Sequence, residues 1–393
     1  MRLFPSLAAC LFAACAAAPL AAQVPCGGTF SSFVQGLEDE AVRRGHDPAR
    51  ANRFFAQARH DPAVIQRDRA QGFFQRDFAD FSQRLISQYR LDRGRQNAVK
   101  YDPVFDVIER RYGVSRGVLL AFWALETDFG AVQGDFNTLN ALVTLSHDCR
   151  RPGLFRPQVF AALTLFERGD FSTSTTGAWA GEIGQVQMLP RDILENGVDG
   201  DGDGHVRLKT SAPDALMSGG RMLQSLGWRA GEPWLQEIVL PAGLNWADTG
   251  LDHTKRVSDW AALGVRGRSG PLGPGNLPAS VLLPMGRNGP AFIAYPNFKV
   301  FFEWNKSLVY VTTAAYLATR LEGAPVYDMR NPDPGLSGGE MKLLQQKLAA
   351  RGHDVGGIDG ILGAKTRIAV QKEQQRLGMP ADSWPTRTLL NRL

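Results

Sequence analysis

The stretch GVLLAFWALETDFG, residues 117–130, constrains this chain more than any other. From Val118 to Leu125 every position is apolar, so a helix here must be wrapped in protein on all sides. Glu126 and Asp128 then arrive where burial should be greatest. A carboxyl group among Phe122, Trp123 and Leu125 resists ionisation, so its pKa rises. An acid that keeps its proton near neutrality is what general acid catalysis requires. The alternative is that the helix ends here and both acids face solvent, and this stretch alone leaves both readings open.

A chain of 393 residues holds one large or two ordinary domains. With 44% hydrophobic and 21% charged residues it is globular. The formal charge of +5 comes from an Arg surplus spread along the chain. It suits a polyanionic surface without specifying one. No Lys/Arg run, stacking signature or zinc knuckle is present, which argues against nucleic acid.

Residues 1–22 read as an export signal: Arg2, an Ala- and Leu-rich core from about Leu7 to Ala18, and cleavage after Ala22. LAAC ending at Cys10 and FAAC ending at Cys15 raise a lipoprotein alternative, which fits less well. No later run of eighteen apolar residues suggests a membrane span. A soluble periplasmic protein is therefore expected. Cleavage leaves only Cys26 and Cys149. In an oxidising compartment an even pair is expected to form a disulfide, with two free thiols as the alternative.

Helical spacing dominates the first half. Phe30, Phe33, Val34 and Leu37 share one face before Gly45. Phe74, Phe78, Phe81 and Leu85 repeat the pattern, and so do Val104, Phe105 and Ile108. Helices are also expected over Asn137–Ser146, Gln158–Asp170 and Asp214–Trp228. The texture changes at GAWAGEIGQVQMLP, residues 177–190, whose glycines and glutamines suit a loop packed against something polar. In DGDGDGH, Asp199, Asp201 and Asp203 hold the first, third and fifth places of a calcium loop, and the His205 carbonyl the seventh. Thr210 stands where the usual closing Glu belongs; Asp214 is the substitute candidate. An acidic surface turn is the alternative. A structural Ca2+ is expected, and no cofactor for catalysis.

Residues 241–290, rich in Gly and Pro, predict a small sheet or long loops. The segment 327–337 reads as a linker. Beyond it Met341, Leu344 and Leu348 open a unit of three short helices. The expected division is 23–326, a linker over 327–337, and 338–393.

A buried Glu, an amide-rich loop, scattered tryptophans and export point toward carbohydrate, since indole faces stack on sugar rings and amides bond their hydroxyls. HExxH and Walker motifs are missing, and no GxSxG nucleophile elbow is read.

ALETDFG, NTLNALVTLSHDCRRPGLFR, GAWAGEIGQVQMLP, DGDGDGH and YPNF..FFEWNKS, in this order, resemble the lytic murein transglycosylase B family from Cys26 to about Gly323. LLQQKLAARGHDVGGIDGILGAKTRIAVQKEQQRLG is similar to the common peptidoglycan-binding module. The resemblance implies a mainly α, goose-lysozyme-like catalytic domain with a small β/loop subdomain. It also implies cleavage of the β-1,4 bond between N-acetylmuramic acid and N-acetylglucosamine to a 1,6-anhydro product. Glu126 would act as acid and then as base. Gln187 and Asn305 would contact sugar, and Arg150 and Arg151 would lie near peptide-bearing subsites. Trp179 and Tyr295 join the candidate sugar-binding set. Three departures stand out: Ala178 where a Ser is usual, Trp304 in place of a Tyr before Asn305, and Glu182 in place of a small residue. Glu182 would either face Glu126 and permit lysozyme-like hydrolysis or form a salt bridge with a nearby Arg. Peptidoglycan strands are the expected partner of a monomer, with membership of a cell-wall synthesis complex left open. A glycan-binding scaffold that cuts nothing is the reading from another class.

Overall fold

The computed structural model describes residues 24–70 and 76–393. The expected export signal, Cys10, Cys15 and Phe74 lie outside the described residues. The apolar run becomes the helix Arg116–Thr127, and Gly117 to Ala124 are all buried. Ser115 opens the helix by accepting a hydrogen bond from the Gly117 N–H. Asp128 ends it in the left-handed conformation (φ 52°), with its carboxylate held by Arg90 at 3.0 Å.

Seventeen α-helices are present among the described residues. Leu308–Leu321 lies along the central helix, and Gln88–Lys100, Asp102–Tyr112 and Ala212–Ser225 pack against it as well. The helix Phe30–Arg43 buries Phe33, Leu37 and Ala41, following its apolar spacing. The run expected around Phe78 is divided: Phe78–Leu85 stops at Ile86, and Ser87 caps a new helix, Gln88–Lys100. A serine side chain that satisfies a free N–H makes that break stable. The helix expected from Gln158 begins earlier, at Pro152, where the ring's missing N–H costs nothing.

The predicted sheet has five antiparallel strands, in spatial order Lys255–Arg256, Pro278–Leu282, Phe292–Ala294, Leu235–Val239 and Arg266–Gly267. Ile293 lies opposite Val281 on one side and Gln236 on the other. The sheet starts before Pro241, because Leu235–Val239 supplies a central strand. It has its own core around Trp260, Val281, Ile293 and Tyr295. Tyr295, expected to meet sugar, is only 1% exposed. Its hydroxyl donates to Gln236 Oε1 (2.7 Å) and accepts from the Gly273 N–H (2.9 Å), so this tyrosine is structural.

Helices Gly338–Ala350, Ala364–Arg376 and Arg387–Arg392 form the C-terminal module around Met341, Leu344 and Leu348. The module is docked on the rest of the chain. Gln371 donates to the Thr249 carbonyl (2.8 Å), and the Arg287 N–H donates to Asp382 (3.0 Å). Within 327–337, Tyr327 is buried against Phe78, Phe292 and Tyr316. A disulfide joins Cys26 to Cys149, with Cα atoms 5.3 Å apart. It ties the segment before the first helix to the turn after Thr138–His147.

Candidate active site

Glu126 lies in the last turn of the central helix, where two neighbouring helices meet it. Trp304, the last residue of Pro296–Trp304, donates its indole N–H to Glu126 Oε1 at 2.9 Å. Tyr310, in the first turn of Leu308–Leu321, donates its hydroxyl to the same oxygen at 2.5 Å. The Trp304 ring is stacked on Phe122 (centroids 4.3 Å apart), one turn before Glu126. Burial pushes the Glu126 carboxyl up from 4.5 to about 7; the Tyr310 and Trp304 hydrogen bonds oppose that rise and the charge of Glu182 adds to it. Since Oε1 already accepts two hydrogen bonds, the proton of the neutral acid belongs on Oε2. After that proton leaves, the two donors hold the negative charge. The arrangement can therefore donate a proton and take one back near neutrality.

Tyr310 escaped the sequence reading. The phenol missing at position 304 is present at 310, on the next helix, and only the packing of three helices brings it to Glu126. A usable signal was Ser307, whose side chain caps Tyr310 and starts that helix directly after Trp304–Lys306.

The loop 177–190 is fixed to the end of the central helix by one hydroxyl. Thr127 Oγ1 donates to the Gln185 carbonyl (2.6 Å) and accepts from the Gly130 N–H (2.9 Å). Gly184 has φ 80°, and a Cβ there would fall 2.4 Å from Leu208, so glycine is required where the loop crosses that residue. Gln187 adopts φ 53°, and its amide nitrogen donates to the Gly184 carbonyl at 2.9 Å. The amide oxygen is the atom it can offer a ligand. Trp179 is partly buried against the main core. Asn305 accepts from the Ser307 N–H (2.9 Å) and shapes the turn that carries Trp304 to Tyr310.

Glu182 makes no salt bridge within 4 Å among the described residues, against one of the two expectations. Its Oε2 is buried without a hydrogen-bond partner. Burial raises its pKa, and Arg151 acts on it only through its charge. That arginine is engaged elsewhere: Arg150 Nη1 and Arg151 Nη2 both bond the buried carboxylate of Asp68, Arg150 at 2.5 Å. The arginine pair thus anchors the Pro62–Arg69 helix, and what it can offer a ligand is its partly exposed outer edge.

In the acidic loop Asp199, Asp201 and Asp203 each turn an oxygen into one exposed group, within 4.8 Å of one another. N–H groups of Gly202, Asp203 and Gly204 hold the Asp199 carboxylate and keep its pKa low. Three convergent carboxyl oxygen donors fit a calcium ion. Asp214 does not join them. Fully buried, it accepts from the backbone N–H groups of Gly200, Asp201 and Arg207. It fastens the loop's two ends, which corrects its expected role as a ligand. The His205 ring is turned to Asp170 (3.0 Å), leaving its carbonyl as the atom a metal can use.

A family model described as the transglycosylase SLT domain matches residues 29–319, and a peptidoglycan binding domain model matches residues 337–393. SltB3 from Pseudomonas aeruginosa, in a structure in complex with NAG-anhNAM-pentapeptide, superposes with a TM-score of 0.85 at 36% identity. That match covers 93% of this chain and 99% of SltB3. The Escherichia coli lytic transglycosylase SLT35 in complex with calcium is alike in fold, with a TM-score of 0.65 at 24% identity over 78% of this chain and 98% of that one. Membrane-bound lytic murein transglycosylase B of Escherichia coli is 27% identical over 214 residues, 54% of this chain and 58% of the relative's length.

Proposed function

Because the chain belongs to the transglycosylase SLT family of lytic murein transglycosylases, we propose that it cleaves peptidoglycan strands between N-acetylmuramic acid and N-acetylglucosamine, with Glu126 as sole acid and base. The observation that carries this reading is the Glu126 carboxyl, held near pKa 7 between Trp304 and Tyr310. Glu126 gives its proton to the glycosidic oxygen as the bond from the muramoyl C1 breaks, and the N-acetylglucosamine end departs as the alcohol. The muramoyl C6 hydroxyl then attacks C1 and returns its proton to the Glu126 carboxylate, closing the 1,6-anhydro ring. An internal hydroxyl beside C1 has a high effective concentration, so no activated water is needed. Gln187 and Asn305 are the proposed sugar contacts, with Trp179 as a stacking face and the outer edges of Arg150 and Arg151 toward the peptides.

The division of labour proposed is a catalytic domain over 23–326, a connecting segment over 327–337 and a binding module over 338–393, in a monomer. No helix among the described residues is long and apolar enough to cross a membrane. The disulfide and the wall-directed family support action outside the cytoplasm, and we assign the periplasm. Asp199, Asp201, Asp203 and the His205 carbonyl are the proposed ligands of a structural calcium ion, remote in role from the chemistry.

Glu182 favours one second reading. A second carboxyl whose charge reaches Glu126 could serve as base for a water, giving hydrolysis. Mass spectrometry of digested sacculi tests both: anhydro ends are expected from the wild type and none from Glu126→Gln, whereas reducing muramic ends would establish hydrolysis.

A further inference from the structure

Between the C-terminal module and the catalytic core lies a cavity of about 420 Å³, whose wall includes Lys306 and Ser307. These residues directly follow Trp304 and Asn305 in the chain. Leu308 and Trp384 give it apolar sides, Arg367, Lys306 and Arg76 bring positive charge to it, and Asp77 is the acid in its wall, with its side chain accepting from the Asp80 N–H.

Arg367 is the informative member. Its guanidinium donates to the carbonyls of Leu283 (3.3 Å) and Pro284 (2.6 Å), and its Nε is buried without a partner. Carbonyls satisfy N–H groups but do not neutralise a charge. Asp382 attracts Arg367 only from beyond ion-pair distance and is itself bonded to Arg287. Arg76 and Lys306 differ, being paired with Asp80 and Glu303 on the surface. Helix starts add to the field. Phe78–Leu85 and Leu308–Leu321 begin at the cavity with capped ends, while Ala364–Arg376 begins there at Gly363, which has no side chain to cap it. A buried cation left uncompensated is costly unless something negative arrives.

We propose that this cavity receives the carboxylate end of a peptidoglycan stem peptide, with Arg367, Lys306 and the uncapped N–H groups after Gly363 as its anion site and the apolar sides holding the peptide's small side chains. The inference rests on the proposed function, which makes peptide-bearing glycan the substrate, and it assigns the module a part in choosing which strands reach Glu126. A peptide ending in a carboxylate matches the cavity in size, in apolar length and in the sign of its tip.

The test uses the mature chain carrying Glu126→Gln, so that ligand is not consumed. Calorimetric titration compares three probes: N-acetylglucosaminyl-N-acetylmuramoyl pentapeptide, the same compound with its C-terminus amidated, and the disaccharide without peptide. The free acid is expected to bind about tenfold more tightly than the amide. Lys306→Glu and Arg367→Gln should each abolish that ratio and leave disaccharide binding unchanged. Should Arg367→Gln unseat the module, the exposed Lys306→Glu carries the test alone. Equal affinity for acid and amide in the parent protein, or a ratio that survives Lys306→Glu, overturns the proposal. Anhydro ends released by the unmutated enzyme are scored separately, so the mechanism at Glu126 and the anion site fail independently.

Discussion

Two glutamates sit at opposite ends of one helix, and both have carboxyl groups raised to about 7 by burial. Glu126 closes the C-terminal end of Arg116–Thr127. Glu322 reaches over from the end of Leu308–Leu321 to the N-terminal end, where Ser115 donates to it. Glu126 is half-buried under two donors and beside an amide-rich loop, whereas Glu322 is exposed on its outer side, so water screens it. A raised pKa is thus no mark of a catalyst. What separates the two is a neighbouring surface able to hold a sugar with its bridging oxygen at the acid.

The largest effect that divides them is on turnover. Glu126→Gln is expected to lower kcat by about 10³-fold or more, while Glu322→Gln should stay within about twofold, measured as anhydro product released from sacculi. Equal losses would dissolve the distinction.

Stability should treat the two alike in sign. A carboxyl whose folded pKa lies above its unfolded value leaves stability untouched below about pH 4.5, destabilises the fold increasingly from there to about pH 7, and adds nothing further above it. Glu126→Gln should therefore raise stability at pH 8 by up to about 3 kcal/mol, with little change at pH 4. Glu322→Gln should move the same way by less. Thermal denaturation at the two pH values reads both.

Finer effects act on the pH profile. Activity should fall as pH rises through about 7, because the acid must start protonated. Tyr310→Phe or Trp304→Phe removes a bond that favours the carboxylate, so the alkaline limb should move to higher pH and kcat drop by about tenfold. Glu182→Gln removes a repelling charge and should move the limb the other way. An unmoved limb in that variant would separate Glu182 from the acid. Smallest is calcium: millimolar ion should raise Tm by a few degrees, as expected of a weak site, and Asp201→Asn should cancel the gain.

The central helix was legible because its apolar run allows only one environment, but the run left open whether Glu126 and Asp128 are buried or face solvent, and it was the family resemblance that singled out Glu126. Tyr310 could not be read, since its role depends on where a separate helix lies. Tyr295 misled for the opposite reason. An aromatic in a motif-bearing segment looks the same whether its ring faces a cleft or a sheet core, and only the bonds to Gln236 and Gly273 decide. Asp214 shows the same limit for acids, because spacing cannot tell a metal ligand from a carboxylate that gathers backbone N–H groups. Residues 327–337 have the composition of a linker, and the burial of Tyr327 against three aromatic rings is a tertiary event that composition does not report.

The bond between Cys26 and Cys149 spans 123 positions of sequence. Closing so long a covalent ring restricts the unfolded chain by about 5 kcal/mol on the chain-entropy model, a sizeable part of the total stability of an ordinary domain. The protein's sturdiness is therefore conditional on redox surroundings. Before oxidation the chain is easier to unravel than after it, so the same sequence is sturdier in an oxidising milieu than in a reducing one.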